Sequence, residues 1–346
     1  MASARHCLWL QAETGKGVGM EYTTLGRTGL KVSVAGLGCG GFSRLGLGTG
    51  KSEADAIGII REAVDLGVNL FDTAAAYGTE AVLGNALSSV PRDRVVICTK
   101  APFGISNPNS TPENAVASLD RSLKELGTDY IDVYQLHGVA PGGYAHALEA
   151  IAPALLREQE KGKFRHLGIT ETAPGDPGHE MTRRASRDGV WDTAMVAFHM
   201  MHQNARDAVF PLTREHRVGT LLMFAVRNIF SRPERLAATM RELAAEGLVP
   251  PELADRPDPL DFLVHAAGAS SVIDAAYRFV RHEPGVDVVL FGTGDSAHLH
   301  SNIASILKPP LPEADRDRLA ELFGHLVGVG LDAPHLSPRT GRVTNR

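Results

Sequence analysis

The sequence predicts a single closed (β/α)8 barrel, also called a TIM barrel. Short apolar runs rich in β-branched residues recur eight times, helical patterns alternate with them, and no linker-like segment divides the 346 residues. Nearly continuous apolar runs indicate strands that are buried on both faces, as in a parallel sheet covered by helices. Eight such units in roughly 300 residues fit one barrel better than two small domains, and an open doubly wound sheet is the alternative. The predicted strands are Val34–Leu37, Val68–Phe71, Val95–Cys98, Ile131–Gln135, Leu167–Ile169, Ala194–Phe198, Thr220–Phe224 and Val286–Phe291.

Start and stop signals locate several helices between these strands. Thr111 suits the N-cap of a helix, Pro112 its first position and Gly127 its end. Ser52 suits the N-cap of an earlier helix, and the apolar spacing within Leu299–Ile306 predicts the inward face of a later one. Strand and helix therefore alternate along the chain, as a barrel requires.

The two ends of the chain do not fit the barrel repeat. Residues 1–19 are interpreted as an irregular N-terminal extension, residues 20–325 as the barrel, and residues 326–346 as a C-terminal tail or a loop at the barrel mouth. The gap between Phe224 and Val286 is long enough to hold an inserted segment. Loops of this kind set substrate choice by their shape, so neither the specific substrate nor the oligomeric state is predicted.

Composition and charge narrow the functional classes. The chain is 43% hydrophobic and 22% charged, with a formal net charge of −5 and no dense run of Lys and Arg. Nucleic-acid and membrane-surface partners are therefore not expected. No apolar stretch approaches the ~20 residues of a membrane span, and the N-terminus lacks the features of a secretory signal, so we expect a cytoplasmic protein.

The positions of cysteine and histidine do not predict a metal site. Cys7, Cys39 and Cys98 are odd in number and far apart, which favours reduced thiols over disulfides or a cysteine metal site. His199 and His202 have a spacing that metal ligands can have, but no acid or cysteine adjoins them. They are interpreted as packing and loop histidines, and no metal is predicted.

Two glycine-rich segments resemble nucleotide-binding motifs. Residues Gly36–Gly41 match the pattern G-x-G-x-x-G, but a loop of about ten residues separates them from the next helix. Residues Gly46–Ser52 resemble a phosphate-binding loop, yet Leu45 stands where the first glycine should be. A Rossmann fold and a nucleotide hydrolase are therefore not favoured. The first segment is interpreted as a tight strand end near a bound ligand, and Ser52 as a helix cap.

Polar residues come directly after three neighbouring predicted strands and would meet at one face of the barrel. Asp72, Lys100 and His137 each follow an apolar run, and Tyr77 follows Asp72 by five positions. The carboxyl ends of barrel strands form the active site, so an acid, a base and an imidazole placed there predict catalysis. Each residue alone would suit an ordinary structural role, but their joint placement favours an active site.

The segment Phe71–Gly78 resembles the signature of the aldo-keto reductase family. The resemblance spans nearly all of residues 21–325 and implies a (β/α)8 barrel with NAD(P)-dependent oxidoreductase activity. It also implies that Leu25–Leu30 belongs to a short N-terminal β-hairpin that plugs the bottom of the barrel. The matching segments continue through Thr99–Lys100, Tyr130–His137, Gly162–Gly168 and Gly292–Asn302.

The resemblance implies roles for four catalytic residues. Tyr77 would be the general acid, giving its proton to a carbonyl oxygen as hydride reaches the carbon. A free tyrosine has a pKa of about 10, so Lys100 would be expected to lower that pKa while Asp72 holds the lysine. His137 would hydrogen-bond to the substrate oxygen and orient it. In the opposite direction, Tyr77 would be the base that oxidises an alcohol or lactol.

The same resemblance implies a nicotinamide cofactor, either NADP(H) or NAD(H). Phe224 stands where the family usually stacks an aromatic ring on nicotinamide, and Gly292–Asp295 opens the helix that would grip the adenosine phosphates. Many relatives have a Ser-Asn pair at the positions of Thr170 and Glu171 and a glutamine near Val196–Ala197, so the grip on the carboxamide would differ here. The predicted cofactor contacts are Gly40, Gly41, Phe42, Thr170, Glu171, Phe224, Gly292, Thr293, Gly294, His298 and Asn302.

Departures from the family pattern bear on cofactor preference and substrate. Residues Gly292–Asn302 contain no Lys or Arg; His298 stands where a phosphate-gripping arginine is usual, and Asp295 adds a negative charge, which brings NAD(H) into contention. Met223–Arg227 and Gly292–Gly294 resemble the corresponding stretches of sugar 1-dehydrogenases, which favours aldoses among possible aldehyde, ketone and sugar substrates. The alternative function is a cofactor-binding regulatory or redox-sensing barrel with little turnover.

Overall fold

The computed structural model describes residues 19–103 and 110–331. Cys7, most of the predicted N-terminal extension and residues 332–346 of the predicted tail lie outside these ranges. No helix in the described part of the chain is long and apolar enough to cross a membrane. The strands are β1 (Tyr22–Thr24), β2 (Lys31–Ser33), β3 (Ala35–Gly38), β4 (Leu70–Asp72), β5 (Val96–Pro102), β6 (Ile131–Val139), β7 (Phe164–Glu171), β8 (Thr193–Ala197), β9 (Gly219–Met223) and β10 (Val288–Phe291).

Strands β3 to β10 form a closed parallel barrel in which β10 pairs with both β9 and β3. This arrangement confirms the predicted (β/α)8 fold, and each barrel strand lies within a few residues of its predicted position. β5 and β6 are longer than predicted, because their ladder continues past the first polar residue and pairs Lys100 with Gln135 and Pro102 with His137. The ladder uses backbone groups, so a polar side chain does not end a strand.

Helices alternate with the strands, and their ends follow local capping chemistry. The hydroxyl of Thr111 accepts a hydrogen bond from the amide of Asn114, and Gly127 closes the helix in a left-handed conformation, as predicted. Ser52 and Asp55 form a reciprocal capping box at the start of an earlier helix. The helices are α1 (Glu53–Asp65), α2 (Glu80–Leu87), α3 (Pro112–Leu126), α4 (Tyr144–His146), α5 (Ala152–Glu160), α6 (Glu180–Ala185), α7 (Ala205–Ala208), α8 (Phe210–Glu215), α9 (Asn228–Ser231), α10 (Pro233–Ala245), α11 (Val272–Arg281), α12 (Ser296–Ile306) and α13 (Glu313–Phe323).

The hairpin β1–β2 closes the bottom of the barrel, which confirms the predicted N-terminal plug. Leu25, Leu30 and Val32 are buried against side chains that fill the lower barrel interior. Gly26 has a φ of 48°, and a Cβ atom at this position would collide with the backbone of Gly219. The close approach of the plug to β9 therefore requires glycine.

Two irregular regions, the insertion between β9 and β10 and the segment after α13, lie at the opposite end of the barrel. The segment between β9 and β10 holds α9, α10 and α11, in agreement with the predicted insertion. After α13 the chain turns back, and Leu331 packs against Ala197 and Phe224 at the ends of β8 and β9. Residues up to Leu331 therefore help to wall the barrel mouth.

Candidate active site

The polar residues predicted from the strand ends come together at the barrel mouth. Asp72 is the last residue of β4, Lys100 lies in β5 and His137 lies in β6, and these three strands are neighbours in the barrel. Tyr77 ends a short 3-10 turn, and Gly78 follows it in a left-handed conformation with a φ of 68°. This turn folds the phenol back over the strand ends.

Lys100 and Asp72 form a buried ion pair at the base of this site. The Lys100 ammonium, which is 0% exposed, donates to the two carboxylate oxygens of Asp72 at 2.8 and 2.7 Å and to the carbonyl of Thr73 at 2.7 Å. Burial alone would lower the pKa of Lys100, but the carboxylate of Asp72 more than offsets this effect and raises it. The lysine is therefore a fixed positive charge.

Tyr77 touches the two other predicted catalytic groups. Its hydroxyl lies 3.2 Å from Nε2 of His137, and the two rings meet edge to face at 5.3 Å. Nζ of Lys100 lies 5.1 Å from the centre of the phenol ring. The backbone of Gly40 approaches the same ring so closely that a Cβ there would collide with it. Glycine at position 40 thus leaves room for the phenol.

The pKa of Tyr77 departs from the sequence-based expectation. Burial is the largest influence and raises the pKa above its usual value, while the charge of Lys100 and a hydrogen bond with it lower it. The expected effect of Lys100 is present, but it is smaller than the desolvation that the sequence argument left out. The net result is a phenol that keeps its proton at neutral pH, as a proton donor must.

Aromatic and cationic side chains lie close together in the loops that follow β3 and β9. Phe224 directly follows β9, and the guanidinium of Arg227 lies 4.0 Å from its ring centre. The same guanidinium lies 5.3 Å from the ring of Phe42, which is 48% exposed. Phe42 and Phe224 therefore flank Arg227. The sequence analysis noted Arg227 only as part of a resembling stretch and gave it no role.

The loop after β10 leads directly into α12. Asp295 caps this helix by accepting a hydrogen bond from the backbone amide of His298 at 3.0 Å, and His298 itself is exposed. Gly294 lies against the backbone of Gly46, where a Cβ would collide. Nζ of Lys51 donates to the carbonyl of Gly294 at 2.5 Å. The sequence analysis missed this lysine, because its partner is 243 positions away.

The predicted cofactor contact of the Glu171 side chain needs correction. Glu171 is completely buried, and its carboxylate accepts hydrogen bonds from the amide of Ala197 at 2.7 Å, from the hydroxyl of Thr182 at 2.7 Å and from Nδ1 of His179 at 2.9 Å. These bonds join β7 to β8 and α6. The neighbouring hydroxyl of Thr170 accepts from the amide of Gly138 at 2.7 Å. The Glu171 carboxylate accepts these hydrogen bonds more strongly than the neutral side chain of an asparagine at the same position would.

His199 and His202 lie beside this cluster and are completely buried. Their Nδ1 atoms accept hydrogen bonds from the amides of Met201 at 3.2 Å and Gly328 at 3.1 Å. Burial lowers the pKa of His199 to about 3 and that of His202 well below its usual value, so both are neutral. Across residues 19–103 and 110–331, no three His, Cys, Asp or Glu side chains are grouped so as to hold a metal ion.

Acid should destabilise the fold through these two neutral histidines. Below a pH of about 6.5 these histidines are protonated in the unfolded chain but stay neutral in the folded chain. Each histidine therefore lowers the unfolding free energy by up to about 1.4 kcal/mol for every unit by which the pH falls. Urea unfolding at pH 7 and pH 5 measures the loss. A His202→Gln variant, in which the amide oxygen can still accept from Gly328, should lose about 2 kcal/mol less over this interval. Equal losses in both proteins would contradict the assignment.

Comparisons with known proteins identify the family to which this chain belongs. The family model described as "Aldo/keto reductase family" matches residues 36–323. The chain is 27% identical to aldo-keto reductase YhdN of Bacillus subtilis over 93% of its own length and 99% of the relative. It is 37% identical to L-galactose dehydrogenase of Arabidopsis thaliana over 157 residues, which is 44% of this chain and 48% of that protein. A solved aldo-keto reductase of Bacillus halodurans, in its holo form, superposes with a TM-score of 0.66 at 21% identity over 92% of this chain and 99% of that one.

Proposed function

The chain belongs to the aldo/keto reductase family, whose members carry out NAD(P)-dependent carbonyl reduction, and we propose that Tyr77 is the acid and base of its reaction. One observation carries this proposal: the Tyr77 hydroxyl lies between His137 and the buried Lys100–Asp72 pair. A phenol that keeps its proton can donate it to a carbonyl oxygen, and a fixed cation beside it stabilises the phenolate that remains.

The residues at the mouth fit a nicotinamide cofactor. The ring of Phe224 offers a flat apolar face, and Arg227 beside it supplies positive charge suited to a diphosphate. Gly292 and Gly294 present backbone without side chains ahead of α12, and Asn302 lies in that helix. When bound, the reduced nicotinamide supplies the hydride. We propose these residues, with Gly40, Gly41 and Phe42, as the cofactor contacts.

This chain's own residues orient the substrate and transfer the proton. His137 hydrogen-bonds to the substrate carbonyl oxygen and holds it near the Tyr77 hydroxyl. Tyr77 passes its proton to that oxygen, and Lys100 balances the resulting negative charge while Asp72 keeps the lysine in place. In the oxidative direction, the Tyr77 phenolate accepts the proton of an alcohol or lactol. No metal takes part in this mechanism.

The proposed substrates are small aldehydes, ketones and aldoses. The likeness to a galactose dehydrogenase over 157 residues supports the sugar class. A panel of aldehydes and aldoses, followed by nicotinamide absorbance with both cofactors, tests the proposal. Turnover of at least one substrate is expected. Tight cofactor binding with no turnover on the whole panel would instead support the regulatory alternative.

Cofactor preference depends in part on the exposed position 298. We expect His298→Arg to strengthen NADPH binding, because an imidazole is replaced by a fixed cation at the start of α12. A charge-assisted contact corresponds to about a 10- to 100-fold gain. NADH, which lacks the 2′-phosphate, should bind with nearly unchanged affinity. Titrations of both cofactors measure the effect, and His300→Arg, a change two positions away in the same helix, is the matched control. An equal gain for NADH would contradict the role of position 298.

A further inference from the structure

The segment Gly46–Ser52 carries a lysine to the loop after β10. Its glycine pattern resembles a phosphate loop without being one. Gly46 and the residue before the segment, Leu45, have positive φ angles of 95° and 61°. The fold brings Gly46 against Gly294, and Lys51 then donates a hydrogen bond from Nζ to the carbonyl of Gly294 at 2.5 Å. The hydrogen bond thus ties the loop after β3 to the loop after β10, and these two strands are neighbours in the barrel.

The charge of Lys51 is available at this position. In the described residues it forms no ion pair with a carboxylate, and one carbonyl oxygen satisfies only one of the three ammonium donors. The nearest acid of the loop, Asp295, is engaged by the backbone of α12 as its N-cap. Lys51 is exposed, so a bound anion could reach it.

The position also matches the outer end of the proposed cofactor. Tyr77 and His137 mark the centre of the mouth, where the nicotinamide must lie for hydride transfer. Gly294 lies three residues beyond the end of β10 and directly before the cap of α12. The adenosine half of an extended cofactor would therefore reach this loop.

We infer that Lys51 binds the 2′-phosphate of NADP(H) and takes the place of the arginine or lysine that is missing from Gly292–Asn302. The inference rests on the proposed function and adds a specificity residue to it. It changes the expectation from sequence: a cation is present at the phosphate position, but a different loop supplies it. The protein then accepts NADP(H) as well as NAD(H).

Binding measurements with Lys51→Met test this inference without turnover. Fluorescence quenching or calorimetry with NADPH and NADH, and with adenosine 2′,5′-bisphosphate and 5′-AMP, separates the 2′-phosphate from the rest of the molecule. We expect affinity for the two ligands with a 2′-phosphate to fall about tenfold or more. Affinity for NADH and 5′-AMP should change less than about threefold. Lys51→Arg, which keeps the charge, should stay close to the wild type.

Each of the other possible binding results would contradict a specific claim. Equal weakening of all four ligands would mean that Lys51 only supports the loop through Gly294, and no change would mean that it does not reach the cofactor. Either result would contradict the inference about Lys51. If the wild-type protein still binds NADH, the proposed function is not affected by that result. Failure of the wild-type protein to bind both NADH and NADPH would overturn the two together.

Discussion

Tyr77→Phe is expected to reduce turnover by about 10²- to 10⁴-fold, the contribution typical of a positioned proton donor or acceptor. The substitution removes one hydroxyl and its contact with His137, and it keeps the ring that packs against the backbone of Gly40. Binding of NADH and NADPH should therefore remain close to that of the wild type. Steady-state rates with the best substrate of the panel, together with cofactor titrations, measure the two effects separately.

The control for this variant is Tyr22→Phe. It removes a phenol hydroxyl from the plug hairpin, where Tyr22 donates to the carbonyl of Gly67 at 2.8 Å, far from the mouth. Its turnover should be unchanged. If Tyr77→Phe kept nearly normal turnover, another group would have to deliver the proton, and the assignment of Tyr77 would be wrong.

Lys100→Met is expected to lower turnover strongly and to move the pH profile of the reaction upward. The ammonium of Lys100 opposes the rise in the pKa of Tyr77 that burial causes. Without it, that pKa rises further, so the phenolate needed for oxidation forms only at higher pH. In reduction, the loss of rate at alkaline pH should shift in the same direction. Rate profiles measured in both directions check the sign.

The same substitution also leaves the carboxylate of Asp72 buried without its partner. Removing one member of a buried ion pair typically costs about 3–5 kcal/mol of unfolding free energy, so folding must be checked by denaturation. The double variant Asp72→Asn with Lys100→Met removes the unpaired charge and should regain part of this stability without regaining activity. An unchanged pH profile in a folded Lys100→Met protein would remove Lys100 from the mechanism.

Much of the barrel is predictable because its signals are local. The cap at Thr111 and the stop at Gly127 fix α3 from neighbouring residues alone, and each apolar run marks a strand that is buried on both faces. The four polar residues near three adjacent strand ends are predictable for the same reason, since parallel strands bring their carboxyl ends to one face. Their roles in catalysis remain predictions.

The features that sequence analysis missed depend on contacts between distant segments. Lys51 meets Gly294 only because β10 pairs with β3 where the barrel closes, and no spacing along the chain indicates this contact. Glu171 was assigned to the cofactor because it stands where many relatives have the asparagine of a Ser-Asn pair, whereas its partners are His179, just before α6, and Ala197 of β8. Lys100 lowers the pKa of Tyr77 as predicted, but the net shift is upward, because a sequence shows charges and not the extent of burial.

The Glu171–His179 contact also bears on how this barrel could have diverged from its relatives. Burial alone would lower the pKa of His179, but Glu171 more than offsets this and raises it, which favours an imidazolium beside the buried carboxylate. Changing either residue alone would leave an unpaired charge in the interior. The loss would be comparable to a large part of the unfolding free energy of a typical domain. Positions 171 and 179 are therefore energetically coupled, and a substitution at one is tolerated best when the other changes with it.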